Sequence, residues 1–160
     1  VLANKTVAPS NARVLGRAYT KQVDVLIAQC SQGPDLLVST KSMVPSFRNN
    51  LPNRFDESYG DAKNLRGIYP LVSIGFLMRM RSTVADEPGT LGRVTNMVRK
   101  PRDDQDICDA TFLVLAEWAD APDFGVVTIR QDLVPPTWQP VHSSRGLLMP
   151  YSSARLSTCT

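Results

Sequence analysis

The chain has 160 residues, 42% of them hydrophobic and 21% charged, with a formal net charge of +3. That size predicts one domain with a full core, and the composition is that of a globular chain and not of a disordered tail. No apolar run is long enough to cross a bilayer as a helix, and Val1-Leu2-Ala3-Asn4-Lys5 lacks the apolar core of a signal peptide. The charge is uneven: residues 1–55 carry seven Lys or Arg against two Asp, whereas residues 56–132 carry nine against thirteen acids. Arg outnumbers Lys thirteen to five, which favours forked contacts with phosphate or carboxylate, with solvated surface arginines as the plainer alternative. Cys30, Cys108 and Cys159 are odd in number and form no CxxC pair. They read as free thiols, with Cys30 and Cys108 as small core residues.

Residues 1–12 are a polar arm without a period. Val23, Val25 and Ile27 alternate with Asp24, Leu26 and Ala28, which predicts a strand ending at the Gly33-Pro34 turn. A short apolar piece, Leu36 to Val38, follows. Residues 46–67 are polar and turn-rich and are expected to be a long surface loop, with room for a short helix near Glu57 to Leu65. The clearest strand is VSIGFLMRMR. Val72, Ile74, Phe76, Met78 and Met80 share one face, and Ser73, Gly75, Leu77, Arg79 and Arg81 share the other. Asp86-Glu87-Pro88-Gly89 is a turn, Leu91 to Val98 a weaker strand candidate, and residues 100–109 a charged loop.

Asp109 to Pro136 reads as two strands joined by an acidic turn. Ala110, Phe112, Val114, Ala116 and Trp118 alternate, so these are the expected core positions. Asp120 to Asp123 supply turn chemistry. Val126, Val127 and Ile129 resume a β-rich run that Pro135 and Pro136 end, because neither can donate to a sheet ladder. Prolines falling between the apolar runs, and the absence of long helical periodicity, point to an all-β fold, an antiparallel sandwich or jelly roll.

The stretch WADAPDF…VPP, residues 118–136, resembles the C-terminal end of the jelly-roll domain in picornavirus-like capsid proteins, nearest to the plant comovirus, nepovirus and cheravirus group. The resemblance implies a structural coat protein of a small positive-strand RNA virus. With other coat chains it would build an icosahedral shell around genomic RNA, in virions assembled in the host cytoplasm, and it would be no enzyme and need no cofactor. Residues 1–12 would be the N-terminal arm, 13–140 the jelly roll and 141–160 an extended C-terminal tail. A non-viral β-sandwich module binding a peptide or glycan is the alternative.

Candidate chemistry is sparse. His142 is the only histidine and lies in a Pro- and Ser-flanked tail, and no GxSxG elbow or phosphate loop is present. Asp103, Asp104, Asp106 and Asp109 have a spacing that could offer oxygens to calcium, but without the glycine and closing glutamate of an EF-hand. Glu117, Asp120 and Asp123 could serve as paired carboxylates, or simply as turn residues. Arg79, Arg81, Arg93, Arg99, Lys100 and Arg102 are the candidate RNA or subunit contacts; no aromatic residues interleave with them, so the contact would be weak and directed at phosphates. Arg145, Leu147, Leu148, Met149 and Tyr151 form a candidate anchor for the tail on a neighbouring subunit.

Overall fold

A computed structural model describes residues 6–8, 12–104, 107–120 and 125–134. Strands dominate, eight against two α-helices among the described residues. In chain order these are β1 (Thr6–Ala8), β2 (Ala12–Leu15), β3 (Thr20–Val23), β4 (Val25–Gln29), β5 (Gly33–Met43), α1 (Phe47–Arg66), β6 (Ser73–Arg81), α2 (Thr90–Asp103), β7 (Ala110–Glu117) and β8 (Thr128–Ile129). One six-stranded sheet has the order β1-β4-β5-β6-β7-β8, and β2 and β3 form a separate hairpin.

Pairing is antiparallel at β1–β4, β4–β5, β7–β8 and within the β2–β3 hairpin. It is parallel at β5–β6 and β6–β7. The sheet is therefore mixed, which corrects the expectation of a wholly antiparallel one. Parallel neighbours need long crossovers, and α1 and α2 supply them.

Both helices depart from what their segments were expected to hold. The short helix allowed near Glu57 to Leu65 is part of a longer one: residues 46–67 are not a surface loop, since α1 fills them, and Phe47, Leu51, Phe55, Ser58, Ala62 and Leu65 are buried along it. Their three- and four-residue steps make one face of a helix. Polar residues between them, with Pro52 inside, hid that stripe. Lys63 and Arg66 sit in the last turn, where cations suit the helix dipole. The strand expected over Leu91 to Val98 is α2, which follows Gly89 at φ 72° and buries Thr90, Val94, Val98 and Pro101. The arm is not wholly uncommitted either, since Thr6–Ala8 pairs with β4.

The core lies between one face of the sheet and a layer made of α1, α2 and the hairpin. Leu37, Ile74, Phe76, Met78, Met80, Leu113 and Leu115 face Phe47, Leu51, Phe55, Leu65, Val94, Val98, Val14 and Val23 in one cluster. Phe55 and Phe76 meet edge to face, with ring centroids 6.1 Å apart. The expected core stripe of β6 is buried, in Val72, Ile74, Phe76, Met78 and Met80, and Arg79 on the other face is exposed, but Ser73 and Gly75 on that other face are buried as well, so burial alternates only in the second half of the strand.

The face assigned to β7 is corrected. Its core-facing residues are Thr111, Leu113 and Leu115, in register with Phe76, Met78 and Met80. Phe112 and Val114 point to the opposite side, level with Leu77 and Arg79. Phe112 is buried there, outside the main cluster, and Val114 and Trp118 are half-buried. A strand in the parallel part of a sheet is apolar on both faces, so ATFLVLA carries two stripes and alternation alone cannot choose between them.

Two polar clamps fix the layers. Arg66, at the end of α1, donates to the Asp109 carboxylate at 2.6 Å and to the Val72 carbonyl at 3.3 Å. The same carboxylate accepts from the Ile74 amide at 2.7 Å, while the Asp109 amide donates to the Ile74 carbonyl. Asn64 holds the hairpin loop: its Oδ1 accepts from the Ala18 and Tyr19 amides and its Nδ2 donates to the Tyr19 carbonyl. Gly16 is required beside it, because a Cβ there would strike the Asn64 amide and the Tyr19 carbonyl.

Candidate functional site

The second face of the sheet is the feature that stands out. Register places Ile27 beside Leu36, Val25 beside Val38, Thr40 beside Leu77, and Leu77 beside Phe112. At the two margins Val7 lies beside Ile27 and Ile129 beside Ala116, both exposed. Neither helix nor the hairpin packs here; all three belong to the other side, through the core cluster.

The end of this face, at the C-termini of β6 and β7, is polar. Arg79 donates to the Ser42 hydroxyl from Nε and Nη2. Arg81 lies 5.2 Å from the centroid of the Trp118 ring, donates to the Trp118 carbonyl at 3.2 Å and pairs with Asp120 at 2.8 Å. A guanidinium against an indole face gains from the ring quadrupole. The hydrogen bond from Arg81 and its charge hold the Asp120 carboxyl below its ordinary range. Arg130 pairs with Glu117 at 2.7 Å and Asp132 at 2.8 Å. Its hydrogen bond lowers the Asp132 pKa, and the two carboxylates raise that of Arg130. Arg81, Glu117, Trp118 and Arg130, with Ser82, Thr83 and Asp86, line a cleft of about 260 Å³.

The six candidate contact cations do not form one patch. Arg79 and Arg81 belong to the second face, whereas Arg93, Arg99, Lys100 and Arg102 lie on α2, in the layer across the sheet. Arg93, Arg99 and Lys100 are exposed, and both Arg99 and Arg102 reach Asp103. The anchor residues Arg145, Leu147, Leu148, Met149 and Tyr151 lie outside the described residues, as do His142, Asp123, Asp106 and Cys159.

The carboxylates considered for catalysis are engaged by cations. Glu117 is held by Arg130 and Asp120 by Arg81. A glycosidase acid needs a raised pKa, and the shift at Asp120 runs the other way. Asp103 and Asp109 are paired with arginines, and among the described residues no three His, Cys, Asp or Glu side chains gather as metal ligands. Burial pushes the Cys108 thiol up to about 12, far from the thiolate a nucleophile requires.

Sequence reading missed the Arg81–Trp118–Asp120 and Glu117–Arg130–Asp132 groupings. Trp118 followed two residues on by Asp120, and Arg130 two before Asp132, were the available signals. Their meeting depends on the parallel register of β6 with β7 and the antiparallel one of β7 with β8, which no local pattern reveals.

Comparison of the chain with protein-family models, curated proteins and solved structures found no match.

Proposed function

We propose that this chain is a structural subunit that assembles through its surfaces, a coat protein of the picornavirus-like kind that residues 118–136 resemble. In this reading the six-stranded sheet is one wall of a jelly-roll-like sandwich, and its parallel β5–β6–β7 core is a departure from the antiparallel form. The observation that carries the proposal is the margin at β8. That strand has only two residues, and around it Val126, Val127 and Ile129 are 86%, 60% and 47% exposed. Apolar side chains gathered at a sheet margin are an invitation to a neighbour. In the helical layer, the exposed Arg93, Arg99 and Lys100 of α2 offer an unspecific, salt-sensitive contact for RNA phosphates.

Size-exclusion chromatography with electron microscopy of the expressed chain, alone and with partner coat chains, tests the proposal. Megadalton, RNA-containing particles are expected, and Val127→Asp with Ile129→Asp should abolish them while leaving the circular dichroism spectrum unchanged. A strictly monomeric protein that binds a glycan or peptide would replace this reading with the binding-module alternative.

A further inference from the structure

The loop that closes the β2–β3 hairpin is fastened to α1 at several points. Asn64 makes three hydrogen bonds to it, and the Arg17 amide donates to the Asn64 carbonyl at 2.8 Å. The Tyr19 hydroxyl donates to Asp61 at 3.0 Å, and Lys21 pairs with the same carboxylate. These bonds lay the loop along one stripe of the helix. A Cβ on Gly60 would stand 3.9 Å from the Tyr19 hydroxyl, and one on Gly67 would stand 2.9 Å from Cδ of Arg17. Lys63 belongs to that stripe, between the two glycines, because residues three and four apart share a helix face. Cations and an aromatic ring are therefore set side by side. Tyr19 is 47% exposed although its hydroxyl is engaged, and Arg17 and Lys63 are exposed. Among the described residues neither cation pairs with a carboxylate. Asp61 is already shared by Tyr19 and Lys21, and Asp56 lies seven residues, or about 10 Å, along the helix from Lys63. The exposed Arg13 and Leu15 continue this surface on the outer face of β2, where they alternate with the buried Val14.

We propose that this hairpin loop binds single-stranded RNA, with a base stacked on the Tyr19 ring and the flanking phosphates on Arg17 and Lys63. Cations without a carboxylate partner call for a polyanion. An exposed ring beside them calls for one with unstacked bases, which neither a duplex nor a lipid headgroup offers. The cations of α2 have no such ring among them. Because Asn64 and Asp61 already hold the loop, little order is lost when RNA arrives. The site adds a second RNA surface to the coat-protein reading without needing a particle. An unassembled chain would bind through it, so loss of particles and loss of this contact are separate results.

Fluorescence anisotropy of a labelled oligouridylate with the full chain, in low salt and up to about 200 mM, tests the site. Arg17→Gln with Lys63→Gln should weaken binding about tenfold or more. It should also lower the slope of log affinity against log salt by about 1.4, at ~0.7 for each phosphate contact on a single strand. Tyr19→Leu should weaken binding about tenfold, whereas Tyr19→Phe, which gives up only the bond to Asp61, should stay within about twofold. Equal losses in Tyr19→Leu and Tyr19→Phe would make the ring a structural support and overturn the proposal. So would binding that survives the hairpin changes and is lost in Arg93→Gln with Arg99→Gln and Lys100→Gln. Absence of binding in low salt, or uptake by phosphatidylserine vesicles in place of RNA, would overturn it as well. The Arg17 and Lys63 side chains are exposed, so the double variant decides should Tyr19→Leu fail to fold.

Discussion

The two faces of the central sheet are built from the same strands and differ in how they are finished. On one, Phe76, Met78, Met80, Leu113 and Leu115 are at most 1% exposed beneath α1, α2 and the hairpin. On the other, Leu77 and Val114, their neighbours in the same strands, are half-buried, and Arg79 is exposed. Alternating side chains thus make one face a closed core and the other a surface that is apolar in the middle and cationic at one end. The difference is one of packing: the first face is closed beneath both helices and the hairpin, and most of the second is only half-buried.

The largest effects should come from the closed face. Phe76→Ala removes a ring that is 1% exposed and packed on Phe55, and is expected to cost about 3–5 kcal/mol in urea unfolding. Val114→Ala on the second face should cost about 1 kcal/mol, because fewer contacts are lost from a half-buried site. Equal losses at the two positions would break the comparison and show the second face to be packed as tightly as the first.

Next in size is the clamp that fastens α1 to the start of the parallel strands. Asp109→Ala would leave the Ile74 amide and the Arg66 guanidinium without their shared acceptor. A loss of about 1–3 kcal/mol is expected, since Arg66 and Asp109 are 18% and 26% exposed. Arg66→Ala combined with Asp109→Ala should cost less than the sum of the two single changes. Strict additivity in the double-mutant cycle would show that the two residues do not act as a pair.

Chemical reactivity gives a third contrast. Cys108 lies against the closed face, and burial holds its thiol near 12, while Cys30, expected like it to be a core residue, is exposed beside the β4–β5 turn. Iodoacetamide at pH 8 should label Cys30 in the native protein and reach Cys108 only on unfolding. Native labelling of Cys108 at the rate of Cys30 would show that this core opens.

How much of this was legible in the sequence depended on whether a segment faces one environment or two. β6 was readable because Arg79 and Arg81 mark its second face as polar at one end, leaving Val72 to Met80 as the clear core stripe. In β7 both stripes are apolar: Ala110, Phe112 and Ala116 of the expected stripe are buried, yet it is Leu113 and Leu115 of the other that join the main cluster. The helix α1 was readable in principle, through the spacing of Phe47, Leu51, Phe55, Ala62 and Leu65. Its intervening Asn, Arg, Asp and Gly residues gave the segment the composition of a loop. The Arg81–Asp120 and Glu117–Arg130 pairs join residues 39 and 13 positions apart, and long-range register has no local signature.

The smallest expected effect is electrostatic, at the rim of the closed face. Lys41, on β5, pairs with Glu57 of α1 at 2.9 Å, and Arg54 adds a second contact one turn away. The hydrogen bond from Lys41 outweighs desolvation and lowers the Glu57 pKa from its ordinary 4.5. A depressed carboxyl stabilises the fold fully above its unfolded value and loses that contribution as pH falls through the lower native value. Stability should therefore decline on acidification below pH 4.5, and Glu57→Gln should flatten that part of the profile while lowering neutral-pH stability. With the Glu57 side chain 43% exposed, solvent screening keeps the difference below about 1 kcal/mol. Urea midpoints of both proteins from pH 3 to pH 7 measure it. A gap between them that widens on acidification would reverse the sign and remove the Lys41 pair from the forces joining α1 to the sheet.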